Sequence, residues 1–157
     1  GDDDDGPIGT GVNYTIPLPC YPHGVMKKNR RDVGIGPLAQ LLGIRRKRMG
    51  KGRSRFTLTV RPQHMNPHGI VHGGVVYSLV DYAMGGALTS RLEPGERCAT
   101  LEVKINYLAP VSKGTLRAEA RVIERTKRIG VLEATVHADG DRLVALATGS
   151  FYIQVER

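Results

Sequence analysis

The stretch NPHGIVHGGVVYSLVDYAMGGA, residues 66 to 87, sets one carboxylate, Asp81, two turns inside an otherwise apolar helix that opens on paired glycines. At about 100° per residue, Val76, Leu79, Val80, Ala83 and Ala87 gather on one side, and Ser78 and Thr89 lie opposite. Asp81 falls at the edge, beside Tyr77, Gly85 and Leu88. A half-dry position disfavours the charged form of a carboxylate and makes it a stronger base or nucleophile than one in bulk water. The same position also suits a surface Asp that merely borders a core. Gly85 and Gly86 each cost about 1 kcal/mol in a helix interior relative to Ala. A close approach to a partner helix or a ligand would offset that cost, and the missing side chains would leave room for a bulky group.

Pro67, Gly69, Gly73 and Gly74 shape the approach to this helix and predict that it begins near Gly73. The first amides of a helix have no internal acceptor and carry the positive end of its dipole, so a polarised carbonyl oxygen is well served there. Catalysis through such an oxyanion contact needs an attacking group close by. Asp81 lies eight residues on, roughly 12 Å along the helix axis. Cooperation between the two therefore calls for two copies of the chain with helices side by side and antiparallel, which predicts a two-fold dimer.

Other chemistries find less support. His64, His68 and His72 recur at a spacing that would stack metal ligands on a helix, but Pro67 and Gly69 break any helix there, so no metal site is expected. A G-x-S-x-G serine elbow, a dinucleotide G-x-G-x-x-G after a strand and a G-x-x-x-x-G-K-[ST] phosphate loop are all absent. Cys20 and Cys98 stand far apart, in keeping with reduced thiols. No metal or redox cofactor is called for.

Residues 1–35, rich in Gly, Pro and isolated charges, read as a flexible or extended N-terminal arm. GPLAQLLGI (36–44) predicts a short helix whose Leu38, Leu41 and Leu42 seek an apolar surface. RFTLTVR (55–61) alternates as a half-buried strand, and the same period returns after the central helix in LEVKINYL, LRAEARV, LEATVHA and LVALATGSFYI. The last two are joined by Asp139-Gly140-Asp141, which favours a hairpin turn. Strand, long helix and four further strands predict an α+β fold, a curved antiparallel sheet wrapped around one central helix.

At 157 residues the chain is one domain's worth of sequence, with no apolar run of the roughly 20 residues that a membrane span requires. GDDDDGPIGTGV lacks the basic start and apolar stretch of a secretory signal, so a cytoplasmic location is expected. The net charge is +8, and +12 once Asp2 to Asp5 are set aside. Seven cations lie between Arg45 and Arg55, either as an anion-attracting field or as a solvated, mobile connection. No aromatic residue interleaves them, so nucleic acid is not expected as a partner.

Taken together, NPHGIVHGGVVYSLVDYAMGGA, TLEVKINYLAPV and ADGDRLVALATGSFYI resemble the hotdog-fold acyl-CoA thioesterases of the phenylacetic-acid-degradation (PaaI-like) branch, over about residues 36 to 155. The resemblance implies a hotdog domain over 36–157 that hydrolyses an acyl-CoA thioester to free acid and coenzyme A. It assigns Asp81 as nucleophile or general base, Gly73 as the backbone donor to the thioester carbonyl, and His72 and Asn66 as neighbours that shape the site. Thr100 matches a hydroxyl that orients the attacking water across a dimer interface. The resemblance also implies homodimers paired into homotetramers, with coenzyme A along the subunit boundary. Many relatives carry a Gly-Arg step where this chain has TKRIG, which makes Lys127 and Arg128 candidate contacts for coenzyme A phosphates. The alternative is a non-catalytic hotdog module that binds acyl-CoA as a sensor or carrier.

Overall fold

The computed structural model describes residues 35–155; the proposed arm, including Cys20, falls outside the described residues, as do residues 156 and 157. Helix α1 (Gly36–Leu42) starts on Pro37 and stops at Gly43, which takes the left-handed conformation (φ 70°) that a helix cap favours. It docks on the core through Ala39 and Leu42, one turn apart. Leu38 and Leu41 flank that line and stay exposed, contrary to the expectation that all three leucines pack.

The cation-rich segment is a hairpin and not a loose connection. Strands β1 (Ile44–Gly50) and β2 (Arg53–Thr59) are joined by Lys51 and Gly52, with φ of 53° and 74°. Two consecutive left-handed residues match the twist of a tight hairpin. Arg48 stands opposite Arg55, whose guanidinium reaches Glu119 at 2.5 Å and so offsets the repulsion.

After a 3-10 turn at Pro62–His64 come helix α2 (Gly73–Thr89) and strands β3 (Glu96–Tyr107), β4 (Thr115–Arg125), β5 (Ile129–Ala138) and β6 (Arg142–Val155). The six strands form one antiparallel sheet in the order β1-β2-β4-β5-β6-β3, one strand more than the alternation alone indicated. Val76, Leu79, Val80, Ala83 and Ala87 are buried, as their periodicity predicts. Leu88, expected at the edge beside Asp81, is also fully enclosed, because the curved sheet covers more than one side of α2.

Close helix–sheet contact explains the glycines. A Cβ on Gly86 would come within 2.8 Å of the Phe56 ring, and one on Gly149 within 3.0 Å of Met84 Sδ. The neighbour at Gly86 is thus this chain's own sheet, not a partner helix or ligand. Room remains at Gly85, where the nearest such atom, on Phe151, is 3.9 Å away. Ser54, buried in β2, donates to the Ala83 carbonyl at 2.5 Å and locks sheet to helix.

The free edges of the sheet differ in kind. β1 carries Arg45, Arg46, Lys47 and Arg48, the cationic guard that deters edge-to-edge pairing. β3 is 12 residues long and bulges between Thr100 and Glu102, leaving Leu101 57% exposed. Such bulges bend a strand and re-aim its side chains.

Candidate active site

Asp81 sits half-buried on α2, facing the helix side of β3. Thr100 pairs with the inward Phe151 in strand register, and its hydroxyl donates to Asp81 Oδ1 at 2.7 Å. Desolvation holds the Asp81 carboxyl above the ordinary carboxylate range, and the Thr100 hydrogen bond opposes this less strongly. Oδ2 receives no hydrogen bond among the described residues and is free to accept a proton. Thr100 therefore meets the carboxylate of its own chain.

Gly85 and Thr89 follow Asp81 at one and two turns along α2, and Cys98 stands two residues before Thr100 on β3. Thr89 Oγ1 and Cys98 Sγ are 3.8 Å apart. Burial pushes the Cys98 thiol up; Thr89 opposes this and the Asp81 charge adds to it. A protonated thiol is a poor nucleophile.

The second cluster lies at the start of α2. His72 is the N-cap, its backbone extended, and its Nδ1 accepts from the Gly74 N–H at 2.9 Å. That bond puts the proton of a neutral ring on Nε2. The His72 N–H donates to the His64 carbonyl at 2.8 Å, and the Val75 N–H to the His72 carbonyl at 2.9 Å. Of the four amides from His72 to Val75, only that of Gly73 has no acceptor among the described residues.

Gly73 opens onto a cleft of about 350 Å³, walled mainly by apolar residues including Val76, Tyr107, Val111 and Val144. Asn66 joins the same wall. Its Oδ1 accepts from the His68 N–H at 2.9 Å and the Ile70 N–H at 3.4 Å, which holds the loop in shape. Tyr107, unremarked in the sequence except as a strand residue, donates its hydroxyl to the Gly73 carbonyl at 2.9 Å. Burial, with a smaller contribution from Tyr77, keeps that phenol above its usual range and thus protonated.

His64 is fully buried with Nδ1 accepting from the Arg61 N–H, whereas His68 and His72 are exposed. Among the described residues no group of three or more His, Cys, Asp or Glu converges. Lys127 and Arg128 form the exposed β4–β5 turn, and Arg128 donates to the Tyr152 hydroxyl at 2.6 Å. They lie outside both clusters.

One helix wrapped by an antiparallel sheet, with an acid at mid-helix and an open amide at the helix start, defines the class as a hotdog protein. The family model for the thioesterase superfamily matches residues 68–145. A putative esterase of Saccharolobus solfataricus is 35% identical over 115 residues, covering 73% of this chain and 76% of that protein. The acyl-coenzyme A thioesterase PaaI of Escherichia coli is 34% identical over 112 residues, covering 71% of this chain and 78% of its own. Among solved structures, a conserved protein of Pseudomonas aeruginosa superposes with a TM-score of 0.73 at 35% identity, covering 76% of this chain and 94% of that one. The chain belongs to the thioesterase superfamily, as a PaaI-like hotdog enzyme.

No helix among the described residues is long and apolar enough to cross a membrane.

Proposed function

We propose that the protein hydrolyses an acyl-CoA thioester to free acid and coenzyme A at sites shared between two copies of the chain. The observation that carries this is the single open amide: every other donor of the first turn of α2 is occupied, and Gly73 lines the apolar cleft. A thioester carbonyl placed there would meet a fixed donor aligned with the helix dipole as negative charge develops on its oxygen.

Asp81 supplies the attack. Its carboxylate removes a proton from water, whose oxygen bonds the carbonyl carbon, or attacks that carbon directly to form an anhydride that water then opens. In either route the C–S bond breaks and the electron pair leaves with the coenzyme A sulfur, which takes up a proton. Thr100 fixes the carboxylate rotamer, and Asn66 and His72 hold the donor loop.

Asp81 and Gly73 of one chain are roughly 12 Å apart along the helix, too far to share one carbonyl. Pairing of two chains along β3, whose bulge carries the exposed Leu101, would bring the Asp81 of each to the Gly73 of the other and bury a free sheet edge. A dimer of such dimers gives a tetramer. Lys127 and Arg128, exposed on a turn, are suited to the phosphates of coenzyme A. The reading is tested by following free thiol release from short, long and aromatic acyl-CoAs beside binding of the same ligands. Turnover supports it; tight binding with no thiol release would favour the carrier module instead.

A further inference from the structure

Two consecutive glycines at the start of a helix are the least constrained pair a chain can place there, because neither has a Cβ to restrict it. An oxyanion donor has the opposite requirement, a direction fixed before the substrate arrives. The peptide joining Gly73 and Gly74 is held from both sides: Tyr107 Oη donates to its carbonyl at 2.9 Å, and its N–H donates to His72 Nδ1 at 2.9 Å. Each arm also accounts for one glycine. A Cβ on Gly73 would lie 3.1 Å from Tyr107 Cζ and Oη, and one on Gly74 would lie 3.1 Å from His72 Nδ1. Neither glycine has a positive φ, so close approach and not backbone hand is what a side chain there would have to overcome.

We propose that Tyr107 is a positioning residue for the reaction: the His72 carbonyl, held by the Val75 N–H at 2.9 Å, fixes the peptide that carries the Gly73 N–H, and Tyr107, by holding the Gly73 carbonyl, fixes the peptide that follows, so that the backbone on both sides of the donor is set and its N–H is aimed into the cleft. This rests on the thioester-hydrolase reading above. Tyr107 belongs to β3, the strand whose middle holds Thr100, so the strand that orients the acid in one cluster also orients the donor in the other. Its ring walls the cleft while its hydroxyl is turned to the backbone, which separates the two contributions cleanly.

Tyr107→Phe removes the hydroxyl and keeps the ring. In folded enzyme, kcat should fall about tenfold while KM stays within about twofold, a partial form of losing an oxyanion donor outright. Affinity for a trifluoromethyl-ketone analogue of the substrate, which presents a tetrahedral oxyanion, should fall by the same factor. Affinity for a thioether analogue, which has no carbonyl, should not change. Tyr107→Met provides a second donor-free variant should the first fold poorly, and the loss of oxyanion-analogue affinity must exceed its loss of thioether affinity. Unchanged kcat in folded Tyr107→Phe, or equal weakening of both analogues, would overturn the positioning role while wild-type turnover leaves the hydrolase reading standing. A wild-type protein that releases no thiol from any acyl-CoA would overturn both.

Discussion

Exchanging Asp81 for Asn removes one proton-accepting oxygen and little else. The Asn Oδ1 can still accept the Thr100 hydroxyl, a bond of 2.7 Å in the native chain, so the side chain should keep its place between α2 and β3. A positioned general base contributes about 10²–10⁴ in rate, equivalent to roughly 2.7–5.5 kcal/mol of transition-state stabilisation. We therefore expect Asp81→Asn to lower kcat at least ~100-fold in folded protein.

Stability supplies an independent check. Burial raises the Asp81 pKa above its reference of 3.8, so the folded state disfavours the charged carboxylate. A group shifted in this direction lends its relative stability below the unfolded pKa and loses it as pH rises through the folded pKa. Asp81→Asn should then melt no lower than wild type near neutral pH, and any gain should disappear at pH below about 3.8. Thiol release under saturating acyl-CoA measures the first effect and thermal melts across pH the second. Near-normal turnover of the folded variant would refute the assignment of Asp81; a large loss of melting temperature at neutral pH would refute the desolvation argument.

Two further outcomes follow, one from the proposed substrate contacts and one from the burial of His64. Replacing Lys127 and Arg128 together by Ala should raise KM for coenzyme A thioesters while leaving hydrolysis of the corresponding pantetheine thioesters, which lack the nucleotide phosphates, nearly unchanged; equal effects on both would remove the turn from substrate binding. Burial, then the Arg61 charge, hold the His64 imidazole below its reference of 6.5 against the opposing pull of the Leu42 carbonyl, so stability is full above that pH and declines as pH falls through the lower folded value. Imidazole NMR should find His64 titrating below 6.5; a midpoint at or above that value would contradict its enclosure.

The central helix and its buried face were legible because five apolar residues repeat at helical spacing, and the later strands because most of them alternate apolar with polar residues. β1 was not, since four consecutive cations from Arg45 to Arg48 conceal the alternation on which a strand is recognised. Periodicity also placed Leu88 at an edge: it reports the angle of a residue about its helix, not how far a curved sheet reaches round it. The same limit applied to Gly86, whose neighbour, Phe56, comes from a strand 30 residues earlier. Asp81, Gly73 and the loop before α2 were visible as residue types at suggestive spacing. The Thr100–Asp81 bond depends on a bulge in β3, and the Tyr107–Gly73 bond joins residues 34 apart, so neither could be read from local pattern.

Whether each site draws on two chains is settled most directly by mixing two inactive variants. Gly73→Pro deletes the amide hydrogen at a first helical position, where Pro is tolerated, and the extended His72 (φ −60°, ψ 135°) already suits a following Pro. The Tyr107 ring, 3.1 Å from the new Cβ, must yield by a few tenths of an ångström. Asp81→Asn supplies the other variant. After subunit exchange, a mixed dimer holds one intact site, formed by the Asp81 of one chain and the Gly73 of the other, so an equal mixture should regain about a quarter of wild-type thiol release. A mixture that exchanges subunits yet stays as inactive as its parents would contradict a site built across the dimer.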